Sequence, residues 1–454
     1  MKKYKDKFDK LENAPVKSLI TSLAVPTIIT MLVSAIYNMA DSYFVGKIDT
    51  TSVASIGIVF SVMTLLQAVG FFLGNGSGIQ LATLLGGKDK KQAQIYANVA
   101  FFTSLMLGAV LAILGIFFSR QLAYLLGTTD TAADAASSYL KYILLGSPFI
   151  LGSFVLNNQL RAQGSAIYSM AGILSGSILN ICIDPIFIFN FKLGVKGAAI
   201  ATVISQIIGF IILLLGTRRG ENLKIDIRAF KPSKEVYLTI LKNGMPSLAR
   251  QGVNTLSNIA LNFMASPFGD SAIAGMSVFN RVLFLGFAVV IGIGQGFQPV
   301  CSFNNGAKKY DRVYDAYKFI AVVTTIFISA VALIFLLFSR QLISIFRDDS
   351  EVIQIGAQAL RMQAFALPFV GFCTSSNMLL QSMKISGKAT ILALARQGIC
   401  YIPLVLILPR FFGINGLAAV QALADALTLI ITIFVALPTI KKLRSLKQSK
   451  RPMD

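Results

Sequence analysis

The sequence has no histidine and no tryptophan, and only four of its 454 residues are cysteines. Without histidine, the chain lacks the commonest metal ligand and the side chain that most often carries protons near neutral pH. Cys182, Cys301, Cys373 and Cys400 all lie in apolar stretches and have the spacing of neither a metal site nor a disulfide framework. No nucleophile motif accompanies them. The sequence therefore indicates a protein that is not an enzyme and that carries no cofactor and no catalytic metal.

Charged residues are also scarce. They make up 13% of the chain, against about 25% in soluble proteins, whereas hydrophobic residues make up 55%. Twelve apolar stretches of about 20 residues are each long enough to cross a bilayer core of about 30 Å. Their centres lie near residues 32, 69, 105, 149, 177, 207, 252, 287, 325, 368, 398 and 426. An all-α integral membrane protein with twelve transmembrane helices is predicted.

Acidic residues are the rarer of the two charge classes, with 20 Asp and Glu against 41 Lys and Arg, so the net charge is +21. The lysines and arginines are concentrated in the two terminal segments and in every second loop between the apolar stretches. The positive-inside rule places such loops in the cytoplasm. We expect a multi-pass protein of the plasma or inner membrane with both termini cytoplasmic, and no nucleic-acid partner, since topology explains the positive charge.

The second half of the chain repeats the first at a spacing of 220 residues. Both halves enter the membrane from the cytoplasm, so the repeat is parallel, and a pseudo-two-fold axis along the membrane normal is predicted. Such repeats are typical of secondary transporters, in which the substrate path lies between the halves. Identical residues 220 apart include Pro26 and Pro246, Asn38 and Asn258, Gly74 and Gly294, Gly76 and Gly296, Pro148 and Pro368, and Asn157 and Asn377.

The apolar stretches divide the chain into five predicted parts. These are a cytoplasmic segment over 1–17, a six-helix bundle over 18–217, a cytoplasmic linker over 218–236, a second six-helix bundle over 237–438 and a basic tail over 439–454. Pro26 lies inside the first helix, where it removes a backbone hydrogen bond and acts either as a static kink or as a hinge. The repeated glycines near residues 74–76 and 294–296 are expected to let helices approach closely.

Only three acidic residues, Asp41, Asp184 and Asp425, fall within apolar stretches. Carboxylates at such positions are costly and usually mark an ion or substrate pathway. By helical rise, Asp41, Asp184 and Thr202 lie at one depth, roughly 9–12 Å below the outer loops. Asn180 is one turn from Asp184 on the same helix face. These oxygen ligands are predicted to form either a site for H⁺ or Na⁺ or a structural hydrogen-bond cluster.

Other polar residues in the apolar stretches are candidates for a substrate cavity. Asp425 aligns with Gln206 of the first half and is either structural or functional. Arg281 either pairs with Asp425 or lines the cavity, whereas Arg250 and Arg396 lie near the cytoplasmic edge and either snorkel or pair. The full set of cavity candidates is Asn38, Asn157, Gln206, Asn258, Arg281, Asn377 and Asp425.

The stretch NMADSYFVG around Asp41, the Gly-Gly-Lys turn after the second helix and the Asn180–Asp184-Pro185 pattern together resemble the MATE (multidrug and toxic compound extrusion) family over almost the whole chain. Asp41 in the first apolar stretch and Asp184 in the fifth are similar to the aspartates of its prokaryotic DinF-like branch, especially the MepA-type bacterial drug exporters. The resemblance implies two bundles around a V-shaped cavity and rocker-switch alternating access. It implies export of cationic, amphipathic drugs in exchange for H⁺ or Na⁺.

The same resemblance implies roles for particular residues. Asp41, Asn180, Asp184 and Thr202 would form the cation site, and Pro26 would mark the bend of helix 1. The seventh and tenth apolar stretches carry no acid, unlike the corresponding helices of the NorM-like branch, so no second cation site is expected in the C-terminal half. The alternative is a lipid-linked precursor flippase of the same superfamily, which Arg281 would favour and the acids of the first half disfavour. A monomer is expected.

Overall fold

The structure is a computed structural model that describes the backbone of residues 7–46, 50–126, 128 and 130–448. Within these ranges, the side chains of residues 38, 40–43, 45–46, 50–60 and 130–132 lie outside the description. All regular elements in the described ranges are helical, and no strand occurs among them. The all-helical membrane fold expected from the sequence is therefore confirmed.

Among the described residues, the first half of the chain contains eight α-helices. They are α1 (Lys7–Asn13), α2 (Val16–Gly46), α3 (Thr50–Gly86), α4 (Lys90–Leu125), α5 (Asp130–Leu145), α6 (Ser147–Ala162), α7 (Ala166–Pro185) and α8 (Gly194–Thr217). The second half contains α9 (Lys234–Ala265), α10 (Asp270–Gly306), α11 (Tyr310–Ser344), α12 (Ser350–Ser382), α13 (Ser386–Leu394) and α14 (Tyr401–Gln448). A π-helical turn follows α7 over Ile186–Asn190, and another joins α13 to α14 over Ala395–Cys400.

The helices fall where the twelve apolar stretches are centred. Among the described residues, eight segments are long and apolar enough to cross a membrane, and a ninth is formed by α5 and α6 together, which meet at a bend of 50°. One of the eight, Ser386–Gln448, covers two predicted stretches. Gly413 separates these two, because its φ of 59° breaks the helical geometry of α14 there. The stretches near residues 252 and 368 lie in α9 and α12, which are helical but more polar.

The chain forms two compact units whose limits lie inside helices. Unit 1 contains Met1–Lys10 and Ile29–Leu248, and unit 2 contains Leu11–Ile28 and Ala249–Asp454. The limits fall within α2 and α9, two residues after Pro26 and Pro246 respectively, so the first part of each helix belongs to a different unit from its remainder. The predicted bundles over 18–217 and 237–438 keep each of these helices whole, and that division stays a prediction.

Backbone-to-backbone packing explains these unit limits. In unit 1, a Cβ atom added at Gly76 of α3 would lie 2.3 Å from the carbonyl oxygen of Ile240, in the first part of α9. In unit 2, a Cβ atom at the equivalent Gly296 of α10 would lie 2.6 Å from the Cα of Ala24, in the first part of α2. Only glycine permits approach this close. The expectation that the repeated glycines serve helix packing is confirmed at these two positions.

Gly296→Ala should destabilise unit 2, because the added methyl group meets the backbone of Ala24, which cannot turn aside as a flexible side chain would. Overpacking of this kind costs about 1–3 kcal/mol. We expect a lower midpoint of thermal unfolding in detergent, measured by fluorescence-detected size-exclusion chromatography. Gly252→Ala is the matched control, since a Cβ at that helical position has no atom within 4 Å. Equal midpoints for the two variants would contradict the packing argument.

Candidate functional site

The polar cluster of unit 1 lies between α7 and α8. Asn180 and Asp184 are four residues apart on α7 and so share one face, and Thr202 lies on α8. Small residues bring the two helices together, because a Cβ at Gly176 of α7 would lie only 3.0 Å from the carbonyl oxygen of Ser205 on α8. The close approach allows short side chains on the two helices to reach each other.

Asn180 connects the other two members of the cluster. Its Nδ2 donates to Oδ1 of Asp184 at 3.1 Å and to Oγ1 of Thr202 at 3.3 Å. All three side chains are buried, and Asp184 is 0% exposed. With both contacts made through Nδ2, the amide oxygen of Asn180 is left buried without a hydrogen-bond partner among the described residues. A buried oxygen acceptor beside a carboxylate is an unusual feature, since more than nine in ten buried polar groups are satisfied.

The backbone after Asp184 is irregular. Pro185 cannot donate the helical hydrogen bond to the carbonyl of Ile181, and the chain continues as the π-helical turn Ile186–Asn190. Single π-helical turns occur frequently at functional sites, where they change the direction of the side chains around them. The sequence pattern Asp184-Pro185 therefore marks a local break in the helix next to the buried carboxylate.

The structure thus brings together three of the four residues predicted to form the cation site. The fourth, Asp41, lies in α2, but its side chain is outside the described residues, as is that of Asn38. Pro26 is also in α2, in the part that belongs to unit 2. The coupling role of Asp41, Asn180, Asp184 and Thr202, and the hinge role of Pro26, stay predictions.

Asp425 of unit 2 has a different environment from Asp184. Arg396 donates to both of its carboxylate oxygens, from Nε to Oδ1 at 2.7 Å and from Nη2 to Oδ2 at 3.2 Å. Gln363 adds a bond of 2.7 Å to Oδ2, and Gln421 adds one of 3.2 Å to Oδ1. The guanidinium carbon of Arg396 also lies 4.4 Å from the ring centre of Phe287. Asp425 is therefore a buried carboxylate with four donated hydrogen bonds and a bidentate cationic partner.

Of the alternatives for the arginines, Arg396 pairs, and it does so with Asp425. Arg281 does not form that ion pair, and it is exposed. The sequence did not single out Gln363 and Gln421. Gln421 lies one turn before Asp425 on α14, so its spacing is a signal for this contact, whereas Gln363 comes from the distant helix α12 and leaves no such signal.

The remaining cavity candidates have separate positions. Asn157 donates from Nδ2 to Oγ of Ser169 at 2.7 Å, which links α6 to α7, and the equivalent Asn377 donates to the carbonyl oxygen of Ala389 at 2.7 Å, which links α12 to α13. Both donor side chains are buried. Gln206 is half-buried and Asn258 is exposed. These contacts stabilise equivalent helix pairs in the two units, and a cavity role for the four residues stays a prediction.

Two repeated helical units, with a carboxylate buried in a membrane helix of each, are typical of a multi-pass membrane transporter. The MatE family model matches residues 26–186 and again residues 246–407, so the two matches follow the 220-residue repeat. The chain belongs to this family of transporters, the MATE family, and is not an enzyme. The family resemblance read from the sequence is confirmed.

Known proteins similar to this chain cover nearly all of it. The chain is 29% identical over 409 residues to the multidrug export protein MepA of Staphylococcus saprophyticus, covering 89% of this chain and 90% of that protein. It is 27% identical over 426 residues to the MepA of Staphylococcus haemolyticus, covering 93% and 94%.

Solved structures show the same fold. A MATE transporter crystallised in the straight conformation has a TM-score of 0.90 at 26% identity, with 96% of this chain and 98% of that chain covered. A transporter of the MOP superfamily from Pyrococcus furiosus, described as having a binding pocket of reverse polarity, has a TM-score of 0.89 at 26% identity, with 98% and 100% covered.

Proposed function

We propose that this protein exports organic, mainly cationic and amphipathic, small molecules by antiport against H⁺ or Na⁺. The observation that carries the proposal is the buried amide oxygen of Asn180, which has no hydrogen-bond partner among the described residues and lies on the side chain that contacts Asp184. A cation at this place would satisfy that oxygen. The names of the relatives, which are multidrug export proteins, support the export of drugs.

The donor set suits either coupling ion. The side chains of Asp184, Asn180 and Thr202 offer a carboxylate, an amide carbonyl and a hydroxyl, which are the hard oxygen ligands that alkali and alkaline-earth cations prefer. A proton on Asp184 would turn that carboxylate into a hydrogen-bond donor, for which a buried amide oxygen is an acceptor. In both cases the bound ion neutralises the charge that a buried carboxylate carries in a medium of low dielectric constant.

Neutralisation of Asp184 links the ion to the drug. A carboxylate attracts an organic cation, and the attraction is lost once H⁺ or Na⁺ is bound, so the two ligands compete. Competition drives export only if the ion has different affinities for the inward-open and outward-open states of the alternating-access cycle. The proposed cycle therefore has ion uptake and drug release on the outside, followed by ion release and drug binding on the inside.

The flippase alternative depended on cavity cations in the second half of the chain, such as Arg281. Arg396 is neutralised by Asp425, and Arg281 is exposed. The ion pair removes Arg396 from the cations that favour an anionic pyrophosphate lipid, whereas Arg281 still favours it and the acids of the first half still disfavour it. The cytoplasmic location of both termini and the monomeric state stay predictions.

The test imposes a pH gradient and a Na⁺ gradient separately on purified protein in proteoliposomes. One of the two should drive export of a fluorescent organic cation. Export driven by only one of them identifies the coupling ion, and Asp41→Asn should abolish it. Export of equal rate with no gradient, or none with either gradient, would contradict antiport. No export with either gradient would favour the flippase alternative. A strain depleted of the protein should then show a cell-wall defect.

A further inference from the structure

A basic cleft lies where α11 begins and α14 ends, entirely within unit 2. It encloses about 340 Å³ and is lined by Tyr314 and Lys318 of α11 and by Arg444, Lys447 and Gln448 of α14. Neither the proposed cation site nor the Asp425 ion pair contributes a residue to it. The cleft is therefore a separate feature, and its chemistry is that of an anion site.

The repeat shows what occupies the equivalent place in unit 1. Gln94 and Asn98 of α4, which correspond to Tyr314 and Lys318 of α11, bind the linker that follows α8. Their amide nitrogens donate to the carbonyl oxygen of Lys224 at 3.3 and 3.5 Å, and the backbone N–H of Asp226 donates to Oδ1 of Asn98 at 2.8 Å. Unit 1 thus fills this groove with its own chain.

Unit 2 does not fill the groove in this way within the described residues. Helix α8 ends at Thr217 and the chain folds back, whereas α14 continues as a helix to Gln448. The side-chain amides of Gln94 and Asn98, which bind the linker backbone in unit 1, are replaced in unit 2 by the phenol of Tyr314 and the ammonium group of Lys318. Among the described residues, the groove that binds a peptide segment in unit 1 is a positively charged cleft in unit 2.

The charges in the cleft do not cancel. Lys447 forms an ion pair with Asp315 of α11, and its ammonium nitrogen lies 5.8 Å from the ring centre of Tyr314. Lys318 and Arg444 are exposed, and neither has an acidic partner among the described residues. Two uncompensated cations therefore face the cleft, one of them an arginine, whose planar guanidinium suits phosphate oxygens.

The depth of these two cations indicates the source of the anion. Lys318 directly precedes the apolar run of α11 over residues 319–338, and Arg444 is four residues after Ile440, where the apolar run of α14 ends. Both therefore lie at the boundary between the hydrocarbon core and the headgroups. Basic pockets between helices at this level bind the headgroups of anionic lipids.

We propose that this cleft binds the phosphate of an anionic phospholipid headgroup, held by Lys318 and Arg444. Zwitterionic phosphatidylcholine has the same phosphodiester, but its choline cation is repelled by the excess positive charge. The cleft should therefore discriminate by net headgroup charge. The inference is independent of the transport cycle, because binding of lipid requires neither a coupling ion nor a drug.

The test is a lipid titration of the purified full chain in detergent, followed by native mass spectrometry. Wild type should bind phosphatidylglycerol more tightly than phosphatidylcholine. Lys318→Gln/Arg444→Gln should weaken phosphatidylglycerol binding about 25-fold, since each surface cation contributes about fivefold. Arg218→Gln/Arg219→Gln is the matched control, because it also removes two exposed cations, in this case directly after the end of α8, and it should bind like wild type.

Three results would overturn the proposal. The first is equal affinity of wild type for the two lipids, and the second is an unchanged phosphatidylglycerol affinity in Lys318→Gln/Arg444→Gln. The third is displacement of the lipid by millimolar inorganic phosphate, which would assign the cleft to free phosphate. Thermal unfolding in detergent without added lipid checks that the double variant is folded. If it is not, the single variant Lys318→Gln should show the expected fivefold loss, and an unchanged affinity in it would equally refute the proposal.

Discussion

Asp184→Asn should abolish ion-driven export while the protein remains folded and inserted. The asparagine keeps the size of the side chain and keeps an oxygen that can accept the 3.1 Å bond from Nδ2 of Asn180. It removes the negative charge and the proton-binding group. An interaction between two charges about 4 Å apart is worth about 4 kcal/mol at the effective dielectric constant of a protein, so we expect a loss of coupled transport of at least about 100-fold.

The measurement is gradient-driven efflux of a fluorescent organic cation from proteoliposomes, normalised to the amount of reconstituted protein. Asp348→Asn is the matched control, since it removes an exposed carboxylate from the loop before α12 and should transport like wild type. An Asp184→Asn variant with wild-type efflux under the same gradient would refute a coupling role. Because the proposed mechanism has the Asp184 carboxylate attract the drug, drug binding of wild-type affinity in Asp184→Asn would contradict competition at this residue.

Arg396→Gln should be strongly destabilising because it leaves Asp425 charged and buried without its bidentate partner. Breaking one side of a buried ion pair costs about 3–5 kcal/mol. For a unit of about 200 residues, this corresponds to a fall in the midpoint of thermal unfolding on the order of 10 °C. Arg396→Gln/Asp425→Asn should recover most of the loss, because it removes both charges and retains groups that can hydrogen-bond to Gln363 and Gln421.

Thermal unfolding in detergent measures the two variants, and Arg281→Gln is the control, since this arginine is exposed and should be close to neutral. An Arg396→Gln variant as stable as wild type would show that the pair does not stabilise unit 2. Transport by the double variant separates the two interpretations of Asp425. Export at wild-type rate would make the aspartate structural, and loss of export in a stable double variant would make it part of the transport path.

The contacts within the cluster of unit 1 were predictable, because they depend on local geometry. Residues four apart share a helix face, which joins Asn180 to Asp184. Helical rise counted from the neighbouring loop then places Thr202 at the same depth. Both arguments need only the position of a residue along its own helix, and both were correct for this contact.

The partner of Asp425 was not predictable by the same arguments. The sequence offered Arg281 as a partner of Asp425, left Arg396 either snorkelling or paired, and contained no information about Gln363. Asp425, Arg396 and Gln363 come from three different helical segments. Whether their side chains meet depends on how each segment is rotated about its axis. The π-helical turn over Ala395–Cys400 changes that rotation at Arg396 itself, and no pattern of apolar residues reveals such a turn.

The limits of the two units also could not be predicted from the order of residues along the chain. Hydropathy, charge and the 220-residue repeat are properties of the chain in order, so they suffice for the all-helical membrane fold, for the place of the apolar helices and for the family. The assignment of the first parts of α2 and α9 to different units from their remainders follows instead from close packing at Gly76 and Gly296. Contact between distant helices depends on rotation and shape, and only the folded chain specifies these.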